Sequence, residues 1–335
     1  MADLPNWLAA AVEAHLAGRS RADLAARSSR ISTAYRGGTA SSAVVREAGD
    51  ALAYAVARMP ATYAAAAHVF AEIAALLPDF APASLCDAGA GPGTAGFAAA
   101  ECWPGLRRLV QVDHNPAFLA LARDLGGAAP AGASPLALDQ IRAELPKLKE
   151  ELGRFDLVVL AYVLAEFDLA AAGALAARLW RAETGRLLVL IEPGTPEGYR
   201  RILAVRDRLI GEGARILAPC PHEAACPLVA PDWCHFAERL PRRRAHMAAK
   251  GAALPFEDEK FSYLVALREA APPAREARIL APPEMTKPAL RFKLCRPDGT
   301  AGPETVPRRD KPRFALARRL DWGDRLEGEA AGEVL

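Results

Sequence analysis

Leu85-Cys86-Asp87-Ala88-Gly89-Ala90-Gly91-Pro92-Gly93-Thr94 is the stretch that decides how this chain folds. Ser84–Ala88 is a short apolar run of strand length, and a helical pattern begins after Gly93. Between them, glycines at alternate positions let the backbone turn tightly and approach a ligand where a Cβ would collide. A glycine-rich turn is a weak signal by itself. Its surroundings make it specific.

Outward from the loop, apolar runs alternate with Ala/Leu-rich helical stretches. Leu109–Val112, Leu157–Ala161, Leu187–Ile191 and Phe261–Leu267 join Ser84–Ala88 as expected strands, with helices over Gly93–Cys102, Pro116–Leu125 and Leu169–Ala182. Alternating β and α predicts a parallel sheet covered on both faces, here over residues 81–270. Residues 1–80 lack strand alternation and read as helices. Thr39-Ala40-Ser41-Ser42 and Met59-Pro60-Ala61-Thr62 are expected to be turns or caps opening new ones. In 271–326, prolines punctuate runs such as Ala289–Leu294 and Phe314–Ala317, which predicts a small β meander. Residues 327–335 read as a frayed tail.

With 335 residues, 52% hydrophobic and 24% charged, the chain has material for a sizeable core and is not a disordered polymer. A formal net charge of +2 excludes a polycation, so any nucleic-acid surface must be local. No basic leader precedes an apolar core at the N-terminus, and no apolar run has the length of a membrane span. A cytosolic protein is expected. In a reducing compartment the six cysteines are not expected to form disulfides.

Two acids flank the glycines. Asp87 ends the first strand, where a carboxylate would repel a phosphate but suit a cationic amino-acid moiety. Asp113 ends the next strand and can accept both hydroxyls of a ribose; it can equally cap the helix opening at Pro116. The order Asp-x-Gly-x-Gly-x-Gly resembles the first motifs of class I S-adenosylmethionine-dependent methyltransferases rather than a dinucleotide fingerprint. The resemblance implies a ligand site made by Asp87, Gly89, Gly91, Gly93 and Asp113, with Ala161 and Tyr162 nearby. Catalytic motifs are missing: Ala161-Tyr162-Val163-Leu164 replaces the Asn/Asp-Pro-Pro-Tyr of amino-directed enzymes, and no cysteine follows the fourth strand. Glu166 and Glu192 are candidate bases, or simply polar residues at strand ends.

Cys220, Cys226, Cys234 and Cys295 form the pattern Cys-x5-Cys-x7-Cys-x60-Cys. Three cysteines within fifteen residues, two beside prolines, are hard to assign to packing. Four thiolates suit a structural Zn²⁺ or an iron–sulfur cluster. The close Cys-x2-Cys pair of zinc modules is absent, and wider spacing favours a larger inorganic core. His222 and His235 read as loop residues, with zinc ligation as the alternative. The spacing does not suit a radical enzyme using S-adenosylmethionine. A core held by all four sulfurs would clamp the 215–255 insertion against the C-terminal meander.

Cations cluster at Arg242, Arg243 and Arg244. In the tail, Arg308, Arg309, Lys311, Arg313, Arg318 and Arg319 surround Phe314. The mixture suits a phosphate backbone with aromatic stacking; a solvated charged face is the alternative.

The glycine loop, Asp156–Phe167, the Cys220–Phe236 loop, Phe261-Ser262-Tyr263, Arg58-Met59-Pro60-Ala61-Thr62-Tyr63 and Ala317-Arg318-Arg319-Leu320-Asp321-Trp322-Gly323-Asp324 together resemble the mitochondrial ribosomal small-subunit protein twenty-two family. Animal members of that family are called methyltransferase-like protein seventeen, and bacteria carry homologues. The resemblance implies a methyltransferase fold and association with the assembling small ribosomal subunit and its rRNA. It also implies a 4Fe–4S cluster on Cys220, Cys226, Cys234 and Cys295. It suggests a bacterial, cytoplasmic member with neither membrane nor DNA as partner. Three functions are carried forward: an rRNA-binding assembly factor, an active rRNA methyltransferase, and a small-molecule methyltransferase with structural zinc.

Overall fold

The alternating pattern after residue 82 folds as one mixed sheet in the computed structural model, which describes residues 3–36, 44–130, 137–148, 152–269 and 276–326. Its strands are β1 (Ser84–Ala88), β2 (Arg108–Asp113), β3 (Ala137–Arg142), β4 (Phe155–Ala161), β5 (Thr184–Pro193), β6 (Arg215–Ala218), β7 (Phe236–Pro241) and β8 (Phe256–Leu267). They lie in the order β3-β2-β1-β4-β5-β8-β6, with β7 also paired to β8. The first five are parallel to one another; β8 runs antiparallel to β5. This is the Rossmann-like, class I methyltransferase sheet that the sequence predicts. Strand order reverses beside β1, and the crevice outside the carboxyl ends of β1 and β4 is where such sheets bind ligands.

The period-two alternation of the strands builds two cores. Leu85, Leu109, Leu157, Val159 and Val189 face one side. There they meet α1 (Asn6–Leu16), α2 (Arg21–Arg36), α3 (Ala48–Leu76), α4 (Thr94–Cys102) and α5 (Pro116–Gly126). Cys86, Val110, Val158, Leu160 and Leu190 face the other side. They meet α6 (Leu169–Ala182) and α7 (Pro196–Gly211). The N-terminal helices thus share a core with the sheet.

Met59–Thr62 is not the expected turn. It lies inside the 29-residue α3, with Pro60 in mid-helix. A proline there removes one hydrogen bond and clashes with the preceding turn, costing about 3 kcal/mol. Burial of Leu52, Val56, Met59, Val69, Phe70 and Ile73 along the same helix offsets that cost. The expected cap at Thr39–Ser42 and the tail 327–335 lie outside the described residues.

β8 organises the far side of the sheet. Phe261–Leu267 pairs with β5 along one edge. The other edge is shared: β6 takes Val265–Leu267 and β7 takes Phe256–Phe261. The segment from Pro219 to His235 spans the gap between those two partial strands, and Ser262 Oγ donates to the Cys234 carbonyl at 2.8 Å. A short helix, α8 (Arg244–Lys250), follows β7.

The C-terminal region is a small antiparallel sheet of β9 (Ala277–Ile279), β10 (Glu284–Met285), β11 (Ala289–Cys295), β12 (Ala301–Pro307) and β13 (Arg325–Leu326). Ile279, Leu290, Phe292, Leu294 and Val306 form its core. Ala289–Leu294 is a strand as expected, but Phe314–Ala317 belongs to a helix, α9 (Lys311–Ala317). Asp310 caps it, accepting from Arg313 N, and Pro312 sits in the first turn, where a missing N–H costs nothing. No helix among the described residues is long and apolar enough to cross a membrane.

Candidate functional site

The glycine loop lies at the crevice. Gly89, Gly91 and Gly93 all have positive φ, at 79°, 54° and 82°. A Cβ on Gly89 would stand 2.4 Å from Val163 Cγ2, whereas one on Gly91 would meet nothing within 4 Å. Gly89 is therefore pressed against the fold, and Gly91 presents bare backbone to the opening. Asp113 Oδ2 accepts from Gly91 N at 2.8 Å, and its Oδ1 accepts from Asn115 N at 2.8 Å. The expected helix cap is Asn115 instead, whose side chain accepts from Ala117 N and Phe118 N. Asp87 is buried and accepts from Gly96 N at 2.9 Å, tying β1 to the first turn of α4. Burial pushes the Asp87 carboxyl up to about 7, against the pull of that hydrogen bond. Burial raises Asp113 as well, opposed by its two backbone donors.

These groups line a cleft of about 320 Å³, together with Tyr54, Ala161, Tyr162 and Glu166. All seven positions expected at the ligand contribute to this crevice: six line the cleft, and Gly93 sits behind it as the N-cap of α4. The cleft adjoins a second chamber of about 1240 Å³, and Tyr54, Tyr162 and Glu166 border both. Tyr162 stands at this junction with φ at 60°, an uncommon conformation for a bulky side chain. Its Oη donates to Glu259 Oε1 at 2.8 Å, and the same oxygen accepts from Arg58 Nη2 at 3.2 Å. The Arg58 guanidinium lies 5.9 Å from the Tyr162 ring centre. Sequence reasoning missed Tyr54 and Glu259, because they come from a helix and a strand far from the glycine loop.

The two candidate bases separate. Glu166 borders both cavities. Glu192 is fully buried and accepts from Leu164 N at 2.8 Å. Burial pushes its carboxyl up to about 8. It braces the backbone behind Tyr162 and does not line the cleft.

Cys220, Cys226, Cys234 and Cys295 line one cavity between α7, β8 and the small sheet, although up to 75 residues separate them in sequence. None is disulfide-bonded. Tyr199 Oη is 3.2 Å from Cys226 Sγ, and His222 Nε2 is 3.3 Å from Cys295 Sγ. His235 instead stacks on Trp233 at 4.9 Å. Burial pushes the Cys295 thiol up to about 12 and raises Cys220 and Cys234, and neighbouring cysteines push in the same direction. Four thiolates cannot share this cavity without positive charge among them, and that donor set fits an inorganic core. Among the described residues, no three His, Cys, Asp or Glu side chains are grouped closely enough to hold a metal ion. Two residues that sequence reasoning missed, Arg206 and Arg278, line the same cavity.

The expected RNA-contacting cations divide. Arg242 is paired with Glu257 at 2.8 Å and borders the large chamber, and Arg243 is paired with Asp3 at 2.9 Å. Arg313 holds Glu304 at 2.9 Å. Arg244, Arg308, Arg309, Lys311, Arg318 and Arg319 are exposed, and all but Arg244 lie in or beside α9. Arg308 lies 5.0 Å from the ring centre of Phe314.

Comparison with known proteins gives a family match. The family described as mitochondrial small ribosomal subunit Rsm22 matches residues 48–327. Human "Ribosome assembly protein METTL17, mitochondrial" is 30% identical over 299 residues, covering 83% of this chain and 62% of its own length. "Rsm22-cox11 tandem protein 2, mitochondrial" of Schizosaccharomyces pombe is 26% identical over 338 residues, covering 83% of this chain and 43% of its own length. The chain therefore spans less than two thirds of these relatives. Among solved structures, the magnesium protoporphyrin IX methyltransferase of Synechocystis, with bound SAH, covers 62% of this chain and 84% of its own at a TM-score of 0.41 and 16% identity. A TehB-like SAM-dependent methyltransferase from Corynebacterium glutamicum covers 59% and 88% at 0.36 and 16%.

Proposed function

The chain belongs to the mitochondrial small ribosomal subunit Rsm22 family, and from that premise we propose that it is an assembly factor binding the rRNA of the small ribosomal subunit in the bacterial cytoplasm. S-adenosylmethionine occupies the glycine-loop cleft, and a 4Fe–4S cluster is held by Cys220, Cys226, Cys234 and Cys295. One observation carries the reading. The matched segment, 48–327, contains the cleft, the four-cysteine cavity and the exposed cations around α9.

Each part has its physical support. Asp113 fixes the loop through Gly91 N and lines the cleft, and a carboxylate that accepts one N–H on each oxygen keeps lone pairs for a ribose diol. Bare backbone at Gly91 leaves room for the methionine end of the ligand. A tetrahedral zinc site needs four sulfurs about 2.3 Å from one point. The four cysteines line one cavity, and the choice of the larger core rests on their wide sequence spacing, which lacks the close pair of zinc modules. When bound, that core supplies a covalent tie between the loop carrying Cys220, Cys226 and Cys234 and the end of β11 carrying Cys295. Arg308, Arg309, Lys311, Arg318 and Arg319 suit successive phosphates, and Arg244 is a further exposed cation at the start of α8, whereas Arg242 and Arg243 would have to leave their carboxylates to join it.

The test is sedimentation of lysates prepared without oxygen. The chain is expected to travel with the small subunit or its precursors. A chain that stays at the top of the gradient at low salt overturns the reading.

The junction at Tyr162 and Glu166 favours a second reading, an active rRNA methyltransferase whose target base enters the large chamber. Loss of an rRNA methyl mark in a Glu166→Gln strain that still assembles subunits would support it. Marks unchanged in that strain and in the deletion would exclude it.

A further inference from the structure

Two arginines are buried where no solvent can balance their charge. Arg206 is 2% exposed and Arg278 is 3% exposed, and both line the four-cysteine cavity. Arg206, from α7, donates through Nη2 to the carbonyls of His222 at 3.0 Å and Ala224 at 2.8 Å. Arg278, from β9, donates through Nε to the carbonyl of Pro219 at 3.2 Å and through Nη1 to that of Gly323 at 2.5 Å. The two side chains therefore hold the backbone on either side of Cys220. Each has a carboxylate partner that does not line the cavity: Asp207 for Arg206 at 2.9 Å, and Glu72 of α3 for Arg278 at 2.6 Å. Asp207 is exposed, so solvent weakens the balance it offers. A buried guanidinium is costly unless charge of opposite sign lies close by.

We infer that Arg206 and Arg278 are positioning residues for the proposed cluster, holding the cysteine loop around it and balancing its negative charge from two sides. The inference rests on the cluster reading of the cavity. A thiolate-ligated iron–sulfur core is net negative, and each added electron makes it more so. Positive charge and hydrogen bonds near the sulfurs therefore favour the reduced form and raise the reduction potential. Glu72 acts through Arg278. With its carboxylate neutralised, the guanidinium bears more strongly on the cavity, as does Arg325, whose Nε lies 3.6 Å from Glu72. The charge argument thus gives opposite signs for two substitutions in the same contact.

The experiment uses the full chain purified without oxygen, as wild type, Arg206→Gln, Arg278→Gln, Arg278→Lys and Glu72→Gln. Iron and acid-labile sulfide are assayed first. A reductive titration followed by electron paramagnetic resonance then gives the midpoint potential, and iron loss to a chelator gives a rate. Arg206→Gln and Arg278→Gln are expected to lower the potential and release iron at least several-fold faster. Arg278→Lys should recover most of the potential, and Glu72→Gln should raise it above wild type. A role in folding alone would not move the potential in opposite directions. If Arg278→Gln does not fold, Arg206→Gln and Glu72→Gln still carry the opposite signs. A wild-type cluster whose potential is the same in Arg206→Gln and Glu72→Gln overturns the inference and leaves the cluster reading standing. Wild-type protein with neither iron nor sulfide overturns that reading, and this inference with it.

Discussion

Replacing Gly89 or Gly91 with alanine separates what the loop does for the fold from what it does for a ligand. Both residues have positive φ, so each alanine incurs the left-handed penalty of about 1–2 kcal/mol. At Gly89 the new methyl also stands 2.4 Å from Val163 Cγ2 and 3.1 Å from Cγ1. Val163 is a buried residue of the cleft wall, and crowding of that kind costs about 1–3 kcal/mol more. Gly89→Ala should therefore lose about 2–5 kcal/mol, a large part of a typical 5–15 kcal/mol stability. At Gly91 nothing lies within 4 Å, so the loss should stay near 1–2 kcal/mol. Gly91 lines the cleft proposed for S-adenosylmethionine, so on that proposal the affinity of Gly91→Ala for it should fall at least tenfold, or about 1.4 kcal/mol. Urea denaturation of the ligand-free chain measures the first quantity and titration calorimetry the second. Equal destabilisation by the two alanines, or wild-type affinity in Gly91→Ala, would refute the assignment of one glycine to packing and the other to binding.

Asp87 makes ligand-free stability depend on pH. Its folded pKa, about 7, lies above the unfolded value of 3.8, so the folded state holds the extra proton between them and stability falls as pH rises through that window; Asp87→Asn should flatten the fall in a series of urea midpoints from pH 4 to 8. Pro60→Ala restores a donor to mid-helix α3 and should stabilise by about 1–3 kcal/mol in urea denaturation, whereas a loss would show that the proline ring contributes packing that alanine cannot replace. Charge reversal at Arg308, Arg309 and Lys311 should weaken small-subunit binding and make the logarithmic salt slope shallower by about 2, taking roughly 0.7 per phosphate contact; an unchanged slope would remove α9 from the rRNA interface.

The crevice was legible because its signals are local. The strand Ser84–Ala88 and the helix Leu169–Ala182 occupy the residues their patterns predict, since each carries a period its neighbours lack. β3 escaped notice because Ala137–Arg142 is an edge strand without a buried residue, so it has no apolar run. Proline at 60 misled because local propensity disfavours what burial along the rest of α3 enforces. The four cysteines were recognisable by composition, but the arginines beside them were not. Arg206 falls at helical spacing with Tyr199, Ile202, Val205 and Leu209, but an arginine on such a face can equally snorkel to water, so the sequence does not distinguish a buried side chain from a solvated one. Only tertiary packing separates them, as it alone brings Arg58, Tyr162 and Glu259 together.

The division of β8 between β6 and β7 has a consequence for the fate of faulty copies. Between the two partial strands, Ser262–Leu264 is buried, and Ser262 Oγ donates to the Cys234 carbonyl of the loop. An uncovered strand edge is a template for another chain. A molecule whose loop has let go exposes that template in the middle of its largest sheet, flanked by Phe261 and Val265. Such copies are driven to aggregate with one another or to be cleaved by proteases, so a defect in the cysteine loop would show first as lost abundance, before any change in the activity of the surviving molecules.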